Sequence, residues 1–487
     1  MSSTHVLSES SLEMFRQLVN EKSGIDLPAS RRTHLAHAIS TALERNRCDD
    51  PAELYALFSS TDRNEELEEF IASLTVGETH FFRNQPQFQA LEGHILPELI
   101  RRRSAEKRLR IWCAGCSSGE EPYSLAILLD KLLRGRQNWN VSILGTDIDR
   151  SALKRAQEGS YRGWSFREVP QDVEGKYFTS VDGAFEIIPR IRSMVSFEYL
   201  NLVDDVYPSL LTRTNSMDLI LCRNVLIYFS PTAIEIVLNR FKEALAHEGW
   251  LLLGHAEPSR WVPDGFVLEN FPGAFAHRRS TDSVGPAQDA TPESHDASGY
   301  RLIPQPTRKL RKRSSPSRYP QRQQASPLDP IDSDARPVPD TPDDRRASDP
   351  NPPYLNAKFH AGRLEIEEAR KWITTALEQS PVFAPAHYLD GLLAVEENRP
   401  DDAVAALRRC VYADPTWALG HYALGQAFMQ IGDRRRAAAS LRNAEMLVID
   451  RPASEEIVEG DGLTAGRLRE LIGVQREIFA IQVSERG

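Results

Sequence analysis

The sequence predicts a mixed architecture: an α/β domain preceded by a small helical domain and followed by a disordered linker and an all-α repeat domain. Three observations predict it. From Arg108 onward, apolar runs alternate with amphipathic helical stretches, the pattern of a doubly wound, mainly parallel sheet with helices on both faces. Residues 281–353 hold 14 of the 31 prolines and almost no aromatic side chains. Behind them the sequence repeats itself with a shift of 34 residues. A length of 487 residues exceeds what one core organises, so several units are expected.

Residues 1–88 read as a helical domain, because "SLEMFRQLVNEKSG" and "PAELYALFSS" place apolar residues at helical spacing behind Ser, Asp or Pro starts. Residues 89–280 form the sheet domain. Its strands lie in "LRIWCAG", "VSILGTDID", "MDLILCRNVLIYF" and "WLLLGHAE", and its helices in "EEPYSLAILLDKLLRG", "RSALKRAQEG" and "PTAIEIVLNRFKEALAHEG". "GFVLENFPGAFAHRR" predicts a hairpin around Pro272-Gly273, and a parallel sheet ending in an antiparallel hairpin is typical of Rossmann-like methyltransferases. "AFEIIPRIRSMVSFEYLNL" predicts a small β insert at about 178–200.

Residues 281–353 cannot bury enough apolar surface to offset the entropy of ordering them, which makes them a disordered linker. The "RKLRKR" cluster at 308–313 is read as a solvated charge run. In residues 354–450, Pro381 recurs as Pro415, His387-Tyr388 as His421-Tyr422, Gly391 as Gly425, and Ala369 as Ala403 and Ala437. Small residues where paired helices approach, with a proline ending each unit, mark about three tetratricopeptide repeats. Residues 451–487 follow as a capping helical segment, and the stack is an interaction surface for a protein partner.

A net charge of -10 argues against a generally basic nucleic-acid-binding surface. Five scattered cysteines are not a disulfide framework and are expected as reduced thiols. Without a signal-like end or an apolar run near the ~20 residues of a spanning helix, the chain is expected to be cytoplasmic and not an integral membrane protein. The histidines form no HExxH or comparable ligand set, so no metal site is predicted.

Ligands of doubly wound sheets sit at the carboxyl ends of the strands. "CAGCSSG" falls there, with Gly115 and Gly119 letting the backbone turn tightly, but it is neither GxGxxG nor followed by GK[ST]. Asp147 ends the second strand, where a carboxylate can accept hydrogen bonds from two ribose hydroxyls; Asp149 is better placed to cap the next helix. A nucleoside cofactor without a pyrophosphate cradle points to S-adenosyl-L-methionine. Cys113-x-x-Cys116 lacks a second pair for zinc, so the turn and Glu121, not sulfur, are expected to matter.

"TVGETHFFR", "SSGEEPYSLAILL", "GTDIDRSALKRA", "LCRNVLIYF" and "LLLGHAEP", in this order, resemble CheR-type methyltransferases over roughly residues 10–278. Such enzymes esterify glutamate side chains of chemoreceptors. The resemblance implies that Thr79, Arg83, Glu121, Asp147, Asn201, Leu202, Arg223 and Asn224 contact the cofactor, and that Tyr228 lies beside the reacting methyl. Gly77 stands where relatives often carry Asn, which leaves only its backbone to contribute. The acceptor carboxylate is already ionised at neutral pH, so no strong base is needed, and Arg83 and Tyr228 are the natural groups to orient it. The helix in "RRTHLAHAISTALERNR" keeps Arg31, Arg32, Arg45 and Arg47 but is less basic than the receptor-facing helix of many relatives, and the insert is compact. Recruitment to receptor arrays through the repeats is therefore expected as an alternative tether. "DPNPPY" at 349–354 imitates the loop of amino-group methyltransferases but lies far from the fourth strand and is discarded. His80 and His255 fall in matched motifs with packed or surface roles expected. A second functional class remains, a cofactor-binding scaffold of weak or absent turnover that acts through its repeats.

Overall fold

Each of the first helices starts or stops on a residue suited to the task. In α1 (Glu9–Ser23) the Ser8 hydroxyl accepts the Ser11 amide, and Gly24 at φ 73° ends the helix in a left-handed turn. It packs with α2 (Arg32–Asn46), α3 (Pro51–Ser59) and α4 (Asn64–Leu74) around Phe15, whose ring meets Tyr55, Phe58 and Phe70 edge-on. The computed structural model describes residues 7–59, 64–136, 138–169, 171–257, 262–280, 352–460 and 463–484.

The helical unit stops at Leu74, earlier than the expected boundary at 88. Phe81, Phe82 and Phe88 already belong to the sheet's core, because α5 (Gln85–Ala90), a π turn over 91–95 and α6 (Leu96–Arg102) run on as one rod packed against the strands. The chain then alternates through β1 (Arg108–Ala114), α7 (Glu120–Leu132), β2 (Asn140–Asp147) and α8 (Arg150–Glu158). The insert follows as β3 (Ser160–Tyr161), α9 (Gln171–Tyr177), β4 (Phe178–Val181), β5 (Ala184–Ile187) and α10 (Pro189–Arg192). The main sheet resumes with β6 (Val195–Tyr199), β7 (Met217–Cys222), α11 (Pro231–Ala244), β8 (Leu245–Leu253), β9 (Phe266–Phe271) and β10 (Ala274–Arg279).

Seven strands in the order β6-β2-β1-β7-β8-β10-β9 form the main sheet, parallel except for the terminal hairpin. The order reverses between β1 and β7, which opens the ligand crevice there. The insert differs from expectation. Its sheet comprises β3, β5 and β4, whereas Val195–Tyr199, assigned from sequence to the insert, is the edge strand of the main sheet, parallel to β2. Both stretches are short and β-branched or aromatic, and periodicity alone does not say which partner a strand will choose.

Leu109, Ile111 and Cys113 face the layer built by α5 to α8, while Trp112 and Ala114 face the opposite layer, where α11 packs. On that second face the β6–β7 connection, residues 200–216, carries no helix of its own. C-terminal helices stand beside it: α12 (Pro352–Gly362), α13 (Ile366–Gln379), α14 (Ala384–Glu396), α15 (Pro400–Ala413), α16 (Ala418–Gln430), α17 (Arg434–Val448) and α18 (Ala465–Ser484). Leu210 and Leu211 pack into the two cores of those helices. Arg110, buried at the start of β1, pairs with Glu396 at the end of α14 and donates to the Arg213 carbonyl at 2.8 Å. In α16 every residue from Ala418 to Gly425 is buried, as befits a helix covered on both sides.

Helices α14 and α16 begin 34 residues apart. His387 and His421 meet the carbonyls of Pro381 and Pro415 with the same 2.9 Å contact. Gly391 and Gly425 lie under Leu407 and Leu441, which a Cβ would approach to 2.5 and 2.9 Å. Pro352 and Pro353 occupy the first turn of α12, so helix begins two residues inside the stretch expected as linker, because proline lacks only an amide that the first turn leaves unpaired anyway. The linker expectation otherwise falls outside the described residues. No helix of the described residues is long and apolar enough to cross a membrane.

Candidate functional site

All ten residues singled out from sequence line one cavity at the carboxyl ends of β1, β2 and β7: Gly77, Thr79, Arg83, Glu121, Asp147, Asn201, Leu202, Arg223, Asn224 and Tyr228. After β1 the chain turns through Gly115 (φ 77°), Ser117 (φ 49°) and Gly119 (φ 90°). A Cβ on Gly115 would sit 2.3 Å from Val225, so only glycine lets this turn lie against the β7 loop. Asp147 holds the turn from β2: one carboxylate oxygen accepts the Ser117 amide at 2.7 Å, the other the Asp149 amide at 2.9 Å. Burial pushes the Asp147 carboxyl up, and these amides oppose the shift. Asp149 caps α8, accepting from Ser151 and Ala152 at 2.8 and 3.1 Å, and both carboxylates border the cavity.

Arg223 fills the floor. It is 7 % exposed, and its guanidinium donates to Gln87 at 2.8 Å, to Glu121 at 2.6 Å and to the Arg83 carbonyl. Glu121 thus enters the cavity already paired, a partnership that the sequence did not disclose. The "THFFR" segment is fixed by Phe81 and Phe82, whose amides reach the Ser165 carbonyl and the Ser124 hydroxyl at 3.0 Å. It presents Arg83, which donates to the Glu78 carbonyl at 2.6 Å. The Gly77 carbonyl accepts the Ser117 hydroxyl at 2.9 Å, which ties this segment to the glycine turn. From the helical unit, the Lys22 carbonyl accepts Asn201 at 2.7 Å, the Asp26 amide donates to the Tyr228 carbonyl at 2.8 Å, and Arg31 lies 5.3 Å above the Tyr228 ring.

Two family models match this chain: the CheR methyltransferase all-alpha domain over residues 10–75, and the CheR methyltransferase SAM binding domain over 77–270. A chemotaxis protein methyltransferase of Borreliella burgdorferi is 33% identical over 258 residues, 52% of this chain and 90% of the relative. Chemotaxis protein methyltransferase 2 of Vibrio cholerae is 30% identical over 289 residues, 59% of this chain and 97% of the relative. The Escherichia coli chemotaxis protein methyltransferase is 34% identical over 268 residues, 54% and 89% respectively. The chain belongs to the CheR methyltransferase family.

This CheR-family chain is an S-adenosylmethionine-dependent protein-glutamate O-methyltransferase. The residues present fit that cofactor: a carboxylate at the tip of β2 suits ribose hydroxyls, and the glycine turn gives room for close approach. Among the described residues no group of His, Cys, Asp and Glu could hold a metal. Cys113 and Cys116 are buried, and burial pushes both thiols well up; Cys113 packs in the sheet core, while Cys116 lies in the turn that lines the cavity. His80 is buried with Nε2 3.2 Å from Glu168, a carboxylate neighbour that the sequence reading lacked, and burial lowers its pKa. His255 is exposed beside Asn84, and neither histidine lines the cavity. Tyr354 of the "NPPY" imitation is likewise absent from the lining and bonds Glu459 at 2.9 Å.

Glu257 was missed, although it stands in the "LLLGHAEP" motif. It is 5 % exposed and accepts the Val225 amide at 2.8 Å, with the Asn224 amide also lowering its carboxyl pKa. It thereby holds the loop carrying Asn224, which adopts φ 59°. Burial raises the Glu257 carboxyl from 4.5 to about 7. The folded chain then keeps a proton that the unfolded chain releases, so this stabilisation is complete below pH 4.5 and is lost as pH rises through about 7. Glu257→Gln should flatten the fall in stability between these limits, a difference on the order of 3 kcal/mol. Urea unfolding of both chains across that range checks it, and parallel pH profiles would refute it.

Proposed function

We propose that this enzyme esterifies glutamate side chains on the cytoplasmic helical region of a chemoreceptor or a related sensory receptor, giving glutamate methyl ester and S-adenosylhomocysteine. The observation that carries this reading is the meeting of Arg83 and Tyr228 with Asp147 in one cavity. S-adenosylmethionine supplies, when bound, an electrophilic methyl group. Asp147 and the 115–119 turn hold its nucleoside end, with Glu121, Asn201, Leu202, Arg223 and Asn224 completing the walls. Arg83 offers a forked cation, and Tyr228 a neutral donor, to the substrate carboxylate. Neither has to take a proton, because that carboxylate is ionised at neutral pH. The protein's contribution is alignment and exclusion of water, worth ~7 to 11 kcal/mol at best.

Tyr228→Phe should bind cofactor as the parent does and turn over ~10 to 100-fold more slowly, the effect of losing one hydrogen bond to a charged group. Isothermal titration paired with initial rates reads both quantities. For the reaction itself, the full chain is incubated with methyl-labelled cofactor and membranes bearing chemoreceptors. Base-labile label on receptor glutamates is expected. A chain that binds cofactor yet labels no receptor would favour the scaffold alternative.

The C-terminal helix pairs are tetratricopeptide repeats that recruit a protein partner and bring the enzyme to receptor arrays. Support comes from the 34-residue recurrence of helices, histidine contacts and glycine packing. Tyr412 and Met446, themselves 34 residues apart, are 82 % and 74 % exposed and offer the apolar ridge for such a partner. Tyr412→Arg with Met446→Arg should release the enzyme from arrays in cells while preserving methylation in solution. Unchanged localisation would remove the recruitment role.

A further inference from the structure

We infer that Arg467, on α18, is a positioning residue for the cofactor cavity, so that docking of the C-terminal helices and binding of S-adenosylmethionine are linked. The peptide unit between Tyr199 and Leu200 carries the argument. Its carbonyl accepts Arg467 Nη2 at 2.8 Å, and its amide donates to the Asp147 carbonyl at 3.1 Å. One peptide plane is therefore held from the C-terminal helices on one side and from the cofactor's strand on the other. Leu200, Asn201 and Leu202, the next three residues, all line the cavity.

The grip is built from several groups. The Arg467 guanidinium lies 4.2 Å from the centre of the buried Tyr199 ring, and that of Arg150 lies 4.0 Å from it. Glu68, on α4, accepts Arg150 at 2.8 Å and stands 3.8 Å from Arg467. The helical unit, the sheet and the C-terminal helices thus converge on one ring at the end of β6. None of these groups lines the cavity, so Arg467 acts through the backbone it holds. Linkage is reciprocal: if docked helices favour the binding-ready position of residues 199–202, bound cofactor must favour docking by the same factor.

This inference rests on the assignment of the cavity to the cofactor. Its test uses the full chain with S-adenosylhomocysteine as probe in isothermal titration. Arg467→Ala should weaken binding about tenfold and raise KM for the cofactor equally, with kcat at saturating cofactor within about twofold. Arg467→Lys, keeping the charge without the fork, should recover part of the loss, and Arg476→Ala, on the same helix but paired with Glu445, should bind as the parent does. In the parent chain, probe should slow hydrogen exchange in α18 although none of its described side chains lines the cavity; this arm stands even if Arg467→Ala fails to fold. Equal affinity of parent and folded Arg467→Ala, a fall in kcat alone, or exchange in α18 indifferent to probe would overturn the inference. A parent chain that does not bind the probe would overturn the cavity assignment and this inference together.

Discussion

Asp147→Ala should weaken S-adenosylmethionine binding by about a hundredfold while the sheet stays folded. Two hydrogen bonds from ribose hydroxyls to a carboxylate, at roughly 1.5 kcal/mol each, amount to about 3 kcal/mol, or two decades in Kd. The same carboxylate anchors the Ser117 and Asp149 amides, so its removal also frees the 115–119 turn. Asp147→Asn, which keeps one acceptor, should lie between parent and alanine at about tenfold. Because burial already raises the Asp147 carboxyl and the bound hydroxyls favour its ionised form, affinity should fall as pH drops into the carboxylate range. Titration calorimetry with S-adenosylhomocysteine at neutral and acidic pH decides the matter. An unaltered Kd in the alanine variant would mean that the ribose is held elsewhere.

Arg223→Ala should cost about 3 to 5 kcal/mol of folding stability and abolish activity. Its guanidinium bonds Gln87, Glu121 and the Arg83 carbonyl together, and its side chain and that of Glu121 are 3 % and 13 % exposed. Removing the cation strands a buried carboxylate, which is the expensive way to break such a pair. Adding Glu121→Gln to Arg223→Ala should return part of that stability, since the two losses share one interaction and do not add. Chemical denaturation of the two single variants and the double one measures the coupling. A loss below about 1 kcal/mol for Arg223→Ala would show that water screens the pair.

Part of the candidate site was legible because strand ends and turns write themselves locally, and the rest came only through the family resemblance. Gly115 and Gly119 announce a turn that only glycine fits, and Asp147 falls at the strand tip where the crevice opens. The capping role of Asp149 followed from position alone and appears in its hydrogen bonds. What stayed hidden depends on distant partners. The sequence places Glu121 and Arg223 102 residues apart, and nothing local says that they meet. Glu257 was overlooked because a carboxylate after an apolar strand reads as a loop residue until the fold buries it. The edge strand Val195–Tyr199 was assigned to the insert for a similar reason, since its partner β2 is set by chain topology and not by its own pattern. The helical boundary at Leu74 moved because Phe81 and Phe82 look equally apolar from either side.

Leu210 and Leu211, seated among the C-terminal helices, bear on how this enzyme can be cut or transplanted. The relatives match about half of this chain with nearly all of their own length, and the family models end at residue 270. A fragment stopped after β10, at residue 280, would contain every strand of the main sheet and every cavity residue, yet it would leave Arg110 without its Glu396 counter-ion and two leucines without their helical neighbours. In this chain the catalytic half is no detachable cassette, and exchanging it between proteins means carrying its second wall along.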